Sequence, residues 1–261
     1  MKPYLRHEHP LRFAHRGSRV LWPENTLVAF QGAVDLGYRY LETDVHVTRD
    51  GRLVVFHDHR LERLTDGRGH VWDWRWDDLR HLDAAHHFDP ADGYPHRGAG
   101  IGIPLFEEVV ATFPDQLFNI DLKQDGIAEI VAAEVRRLGV EERVLIGSFH
   151  DRRIRRFRRV AGRRVATSAG PREMAAALTA ATIGRRPRGG ADAFQVPARA
   201  GAVPLVTRRF VAATHRAGKQ VHVWTVNDTA AMHDLLSIGV DGIITDRPDM
   251  LNDVIAERSA G

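Results

Sequence analysis

"ETDVHVTRDGRLVVFHD", residues 42–58, places two β-grade runs on either side of a turn, and both end in side chains that a packing strand does not need. The first, which begins at Tyr40 and Leu41 and reaches Val45, carries Glu42 and Asp44 one residue apart and therefore on one face of an extended chain. The second, Leu53 to Phe56, stops at His57 and Asp58. Asp50-Gly51 between them is a turn signal. Carboxylates and imidazoles at strand ends are what a parallel β/α barrel gathers on its active-site face, where the C-terminal ends of the staves converge.

Outward from this stretch, short β-branched runs alternate with helix-period segments, which predicts parallel strands joined by helical crossovers. The strand candidates are 11–14, 39–45, 52–57, 117–122, 143–148, 163–168, 192–197, 220–226 and 241–245. Helices are expected at 25–36, 105–113, 126–138, 150–160, 171–182, 207–217, 228–238 and 248–257. The expectation is a (β/α)8 TIM-type barrel in one catalytic domain over residues 1–261, with an insertion after the third strand. Nine strand candidates for eight staves leave one outside the barrel, and pattern alone does not say which. The insertion, about 58–103, is rich in Gly, Asp and His, holds Trp72, Trp74 and Trp76, and should lie over the end of the barrel at which His57 sits.

Composition removes several classes. With no cysteine there is no disulfide, thiol nucleophile or thiolate metal site, so any metal must take oxygen or imidazole ligands. No apolar run approaches the ~18 residues of a membrane span, and MKPYLRHEHP lacks the apolar centre of a secretory leader, so a cytoplasmic protein is expected. Peripheral membrane contact and the oligomeric state stay open. The most basic stretch, DRRIRRFRRVAGRR at 151–164, places Ile154, Phe157 and Val160 at helical spacing. Its arginines then occupy the solvated face of an amphipathic helix, and no nucleic-acid partner is expected.

Four polar clusters fall at strand ends: His15 with Arg16, Glu42 with Asp44, His57 with Asp58, and Asn119 with Asp121 and Lys123. Three inward carboxylates repel one another, and a divalent cation held by Glu42, Asp44 and Asp121 would relieve that. Oxygen ligands point to Mg²⁺ or Ca²⁺, with Mn²⁺ a third candidate. Ion pairs with Arg16 and Lys123 account for the same spacing equally well. His15 and His57 on separate strand ends form a general acid and base pair, since imidazole titrates near neutrality. Arg16 and Lys123 would face an anionic substrate whose leaving group needs a proton, and a phosphodiester meets that requirement. Trp224 serves either as a wall of the substrate pocket or as packing at the barrel mouth. Pro23, Glu24 and Asn25 are read as setting the turn and capping the helix from Thr26, with direct substrate contact as the alternative. Thr65, Gly67 and Gly69 form a tight turn that could meet phosphate, and His150 and Gln195 are further pocket candidates.

The blocks AHRGSRVLWPENTLVAF, LETDVHVTRDGRLVVFHDHRLERLTDGRG, FNIDLK, VHVWTVND and GVDGIITDRP resemble, in order and spacing, the glycerophosphodiester phosphodiesterase family over nearly the whole chain. The resemblance implies a β/α barrel that hydrolyses small-molecule glycerophosphodiesters to an alcohol and glycerol 3-phosphate with the help of a divalent cation. It puts the family's paired histidines at His15 and His57, its metal-binding acids at Glu42, Asp44 and Asp121, and its phosphate-facing cations at Arg16 and Lys123. The third acid is commonly Glu, and Asp121 is shorter by one methylene, roughly 1.5 Å. Two rivals accompany this reading: lysophospholipase D-like action on lipid-tailed diesters, with Trp72, Trp74, Trp76 and Phe88 lining an apolar groove, and a non-catalytic phosphodiester-binding barrel.

Overall fold

The computed structural model describes residues 2–8 and 10–260. In chain order its strands are β1 (Leu11–His15), β2 (Tyr40–Val47), β3 (Leu53–Val55), β4 (Leu117–Leu122), β5 (Val144–Gly147), β6 (Ala166–Thr167), β7 (Ala193–Pro197), β8 (Arg199–Ala200), β9 (Val203–Pro204), β10 (Gln220–Trp224) and β11 (Gly242–Thr245). All but β3, β8 and β9 run parallel in the order β6-β5-β4-β2-β1-β11-β10-β7, and one parallel bridge, Ser168 to Ala193, joins the ends of that series. Eight staves thus form a nearly closed barrel, as expected.

The crossovers carry α1 (Leu27–Asp35), α3 (Phe106–Thr112), α4 (Ala128–Arg137), α5 (Asp151–Ala161), α6 (Pro171–Thr182), α7 (Arg208–His215) and α8 (Thr229–Ile238); α9 (Pro248–Ala260) follows the last stave, and the short α2 (Trp76–Leu79) lies in the insertion. The basic helix is α5. Its Ile154 and Phe157 are buried, while Arg152 and Arg153 pair with Asp125 and Arg156 with Glu129, the solvated face read from sequence. The hairpin β8–β9 has no counterpart among the expected strands.

The interior grades from apolar to polar along each stave, which is why chemistry sits at one end. On β1 the inward series is Leu11, Phe13, His15; on β2 it is Tyr40, Glu42, Asp44; on β4 it is Leu117, Asn119, Asp121. Leu11, Phe13, Tyr40 and Leu117 close the N-terminal end together with Tyr4 and Leu5, whose carbonyls accept from Tyr40 Oη (2.8 Å) and Gln220 Nε2 (2.9 Å). The polar residues left at the other end line a cavity.

The strand outside the barrel is 52–57. It is shortened to β3 and pairs antiparallel with the end of β2, Val45 with Val55 and Val47 with Leu53. On one edge of β2 the Glu42 carbonyl accepts from Arg16 N–H and the Asp44 carbonyl from Phe56 N–H, both at 3.0 Å. The hairpin therefore takes over the edge where β1 stops and turns the chain back toward the rim. His57 is consequently not at the end of a barrel stave, a correction to its expected placement; the antiparallel return delivers it to the mouth.

The insertion builds a small core of its own, in which Trp76 packs with Val54, Phe56, Leu61, Val71 and Leu79, and Trp74 sits against that cluster. Trp72 stacks on His70, and Phe88 is tilted against His96. None of these four aromatics lines the cavity, so the apolar groove expected of Trp72, Trp74, Trp76 and Phe88 does not form there. Packing against neighbouring side chains removes more apolar surface from water than facing an open groove would.

Candidate active site

A cavity of ≈ 320 Å³ at the C-terminal mouth is lined by His15, Arg16, Glu42, Asp44, His57, Asp121, Lys123 and Trp224, all the residues singled out for chemistry. It lies at the lower end of the size range for small-molecule sites, room enough for a compact diester. Gln195 also lines it and donates to Asn119 Oδ1 at 2.9 Å, whereas His150 borders the neighbouring groove. Trp224 packs against the cluster that holds Phe13, Tyr40 and Ile244 and also lines the cavity, edge-on to Phe149 at 5.2 Å. Thr65, Gly67 and Gly69 do not reach the cavity; Thr65 Oγ1 accepts from Gly67 N–H within its own turn.

The loop after β1 is held in an unusual backbone state. Arg16, Ser18 and Asn25 have φ of 55°, 123° and 58°, three non-glycine residues in left-handed territory within ten positions. That bend turns Arg16 N–H toward Glu42 Oε2 (3.1 Å) and lets Asn25 Nδ2 donate to Asp44 Oδ2 (3.0 Å) while Asn25 Oδ1 accepts from Thr43. Asn25 is thus not the cap of α1. Thr26 is, its Oγ1 accepting from Ala29 N–H at 3.2 Å. Asn25 is instead buried against the acid it orients. Gly17 (φ 82°) sits in the same bend, and a Cβ there would lie 2.6 Å from the Ala29 carbonyl carbon. Gly17→Ala should therefore destabilise the fold by about 2–4 kcal/mol, combining backbone strain with overpacking. Urea unfolding checks this, and an unchanged midpoint would refute it.

Both histidines face carboxylates through Nδ1. His15 Nδ1 lies 2.7 Å from Asp246 Oδ1, and His57 Nδ1 lies 2.5 Å from Asp58 Oδ1. A carboxylate accepts, so each Nδ1 carries its hydrogen and each Nε2 is left for other partners. Asp246 is fully buried and also accepts from Arg19 Nε (3.0 Å) and Asn227 Nδ2 (2.8 Å). Asp58 is braced by Arg63, whose guanidinium also reaches both oxygens of Glu24 (2.8 and 3.0 Å), while Glu24 Oε1 accepts from Arg16 Nη1 at 2.8 Å. Asp246 and Arg63 were not singled out in sequence, and Glu24 only as part of the turn before the first helix. The only signal was their position inside the blocks GVDGIITDRP, WPENT and HRLERLT.

Burial opposes ionisation of Asp246, but the hydrogen bond and charge of His15, then the Asn227 and Arg19 contacts, outweigh it and bring its pKa down from 3.8 to about 2. A carboxyl lowered on folding adds stability above its ordinary pKa that is lost as pH falls through ~4 toward ~2, about 2 kcal/mol in all. Asp246→Asn should remove that acid-range dependence. It should also lower kcat roughly 10- to 100-fold, the range for removing a partner that orients a functional imidazole. Denaturation across pH and steady-state kinetics check the two effects, and unchanged kcat would show that His15 needs no such partner.

The carboxylates converge on cations already present. Lys123 Nζ lies 3.0 Å from Asp44 Oδ1 and 2.6 Å from Asp121 Oδ2, and Arg16 Nε lies 3.2 Å from Asp44 Oδ2 without the alignment of a hydrogen bond. Against its burial, Lys123 and Arg16 hold the Asp44 carboxyl well below the ordinary range. Glu42 goes the other way, pushed well above it by burial and by the Asp44 charge. Asp121 Oδ1 is buried with no hydrogen-bond partner among the described residues. As placed, no three His, Asp or Glu among the described residues meet at one point as ligands. The donor set nevertheless fits a hard cation: three carboxylates line one cavity, one has an orphaned oxygen, and one is under-compensated.

Residues 15–250 match the Glycerophosphoryl diester phosphodiesterase family. A Mycobacterium tuberculosis protein named "Probable glycerophosphodiester phosphodiesterase 2" is 41% identical over 261 residues, 98% of this chain and 94% of that protein. The crystal structure of glycerophosphodiester phosphodiesterase from Agrobacterium tumefaciens superposes with a TM-score of 0.75 at 27% identity, covering 92% of this chain and 97% of that one. An Oleispira antarctica phosphodiesterase, solved in complex with the product sn-glycerol-3-phosphate, shares the fold with a TM-score of 0.74 at 22% identity, covering 95% and 97%.

Proposed function

Since the chain belongs to the glycerophosphoryl diester phosphodiesterase family and is a phosphoric diester hydrolase, we propose that it cleaves glycerophosphodiesters to an alcohol and glycerol 3-phosphate by metal-dependent, two-histidine chemistry. The observation that carries this reading is the pair of carboxylate-backed imidazoles, His15 and His57, lining one cavity with Lys123 and Arg16.

In this mechanism Arg16 and Lys123 offer positive charge to the non-bridging oxygens, which gain charge as the diester is attacked. One imidazole takes the proton of the attacking hydroxyl, either that of water or that of the substrate's own glycerol, the latter giving a cyclic phosphate that water then opens to glycerol 3-phosphate. The other returns a proton to the departing alkoxide, which is too basic to leave unprotonated. Asp246 and Asp58 hold the rings so that Nε2 is the working nitrogen of each. Glu42, Asp44 and Asp121 would hold a Mg²⁺, Ca²⁺ or Mn²⁺ ion, which when bound supplies further positive charge to the phosphoryl group. The shorter Asp121 carboxyl is the ligand on which metal preference would turn.

Comparing turnover of glycerophosphocholine with that of lysophosphatidylcholine tests the substrate class. Trp74 and Trp76 are committed to the insertion's own core, and none of Trp72, Trp74, Trp76 and Phe88 lines the cavity. We expect the water-soluble diester to be the better substrate. Faster cleavage of the lysolipid would replace this reading with a lysophospholipase D-like one.

A further inference from the structure

Beside the catalytic cavity a groove of ≈ 460 Å³ shares His57, Asp121, Lys123 and Phe149 with it and continues past His59, Arg60, His150 and Arg153. Basic side chains therefore extend the site outward from the phosphoryl position. Two acids also border the groove: Asp58 is committed to Arg63 and His57, and Asp121 pairs with Lys123 through Oδ2 while its Oδ1 is buried. Arg60 and Arg153 make ion pairs through one side of the guanidinium, with Glu62 and Asp125 respectively, and each keeps a nitrogen with no partner among the described residues. The imidazoles of His59 and His150 likewise have no hydrogen-bond partner there; His59 has only ring contacts with His46 and Trp72. Partial burial, then the charges of Arg153 and Lys123, lower the His59 pKa, a sign of positive potential at that wall.

Another part of the cavity lining differs in kind. There Pro171, Met174 and Trp224 offer apolar surface. The two arms of a diester leave phosphorus in different directions, so a substrate bridging Arg16 and Lys123 can send one arm along each of these surfaces.

We propose that the groove is a subsite for a phosphate monoester borne by the alcohol arm, so that the enzyme prefers glycerophosphodiesters whose alcohol is itself phosphorylated. This rests on the phosphodiesterase reading above and adds to it the charge of the alcohol. Arg60 and His150 are the residues to test, because both are exposed and neither belongs to the catalytic machinery.

Glycerophosphoinositol and glycerophosphoinositol 4-phosphate differ by the one group in question. At low ionic strength kcat/KM should be about tenfold higher for the phosphorylated diester, the gap should shrink as salt screens the exposed charges, and it should reside mainly in KM. In an Arg60→Gln/His150→Gln variant the gap should close while glycerophosphocholine turnover is retained. Equal kcat/KM for the pair in the wild type, or a gap that survives in the double variant, overturns the subsite. Calorimetric titration with inositol 4-phosphate needs no turnover: binding that is lost in the double variant supports the groove, and no binding at millimolar ligand overturns it. Failure to hydrolyse any diester, glycerophosphocholine included, would instead strike the activity reading, and the titration would still decide the groove.

Discussion

His57→Ala should lower kcat by ~10²- to 10⁴-fold, the usual worth of one positioned proton transfer, with a much smaller change in KM. The fold should survive. His57 is partly exposed at the rim, belongs to no hydrophobic cluster, and leaves behind an Asp58 still paired with Arg63. His15→Ala should cost a similar factor, but it also removes one of the partners of the buried Asp246, so a modest stability loss should accompany it. Arg19 and Asn227 remain to hold that carboxylate. His57→Ala is therefore the cleaner variant, and partial recovery of turnover by added imidazole would separate a missing proton carrier from a disturbed site. Circular dichroism and steady-state kinetics on both variants give the measurement. Near-normal turnover in both would remove the acid-base assignment.

Chelation should bring turnover close to zero, and Mg²⁺, Ca²⁺ or Mn²⁺ should restore it to different extents. The physical reason lies in the unequal carboxylates. Asp44 has Lys123 and Arg16, but Glu42 is under-compensated and Asp121 keeps a buried oxygen without a partner. A binding readout should accompany the kinetics: a saturating ion at about 100 times its Kd stabilises the folded state by about 2.7 kcal/mol. The wild type should thus melt later with metal, and Asp44→Asn should lose that shift. Full activity in chelator, together with a melting temperature indifferent to metal, would return the three acids to a simple ion-pair network with Lys123 and Arg16. Asp121→Glu, which restores the missing methylene, should change the order of preference among the three ions.

Much of this molecule was legible before folding because barrel staves obey a period of two. Glu42 and Asp44 had to share a face, as did Asn119, Asp121 and Lys123, and the parallel register Glu42 to Asn119 and Asp44 to Asp121 sets those faces side by side. The amphipathic character of α5 was equally plain from Ile154 and Phe157. What misled was local resemblance. The run at 52–57 looks like any buried stave, and only the antiparallel pairing of Val45 with Val55 takes it out of the barrel. The three tryptophans of the insertion looked like a groove because exposure cannot be read from composition; Trp74 and Trp76 joined the insertion's own core, and Trp72 stacked on His70.

Local chemistry written in the chain, alternation along each stave and polar residues at the ends of β-grade runs, was enough to lead to the barrel and to single out His15, His57, Glu42, Asp44, Asp121, Arg16 and Lys123, which line one cavity. Tertiary structure alone decided what stands behind them. Asp246 reaches His15 across 231 positions, Arg63 joins Asp58 to Glu24, and Asn25 turns from a helix cap into a brace for Asp44. Such partners are chosen by where strand register and a left-handed bend bring side chains in three dimensions. No spacing along the sequence encodes a hydrogen bond between residues that only ring closure makes neighbours.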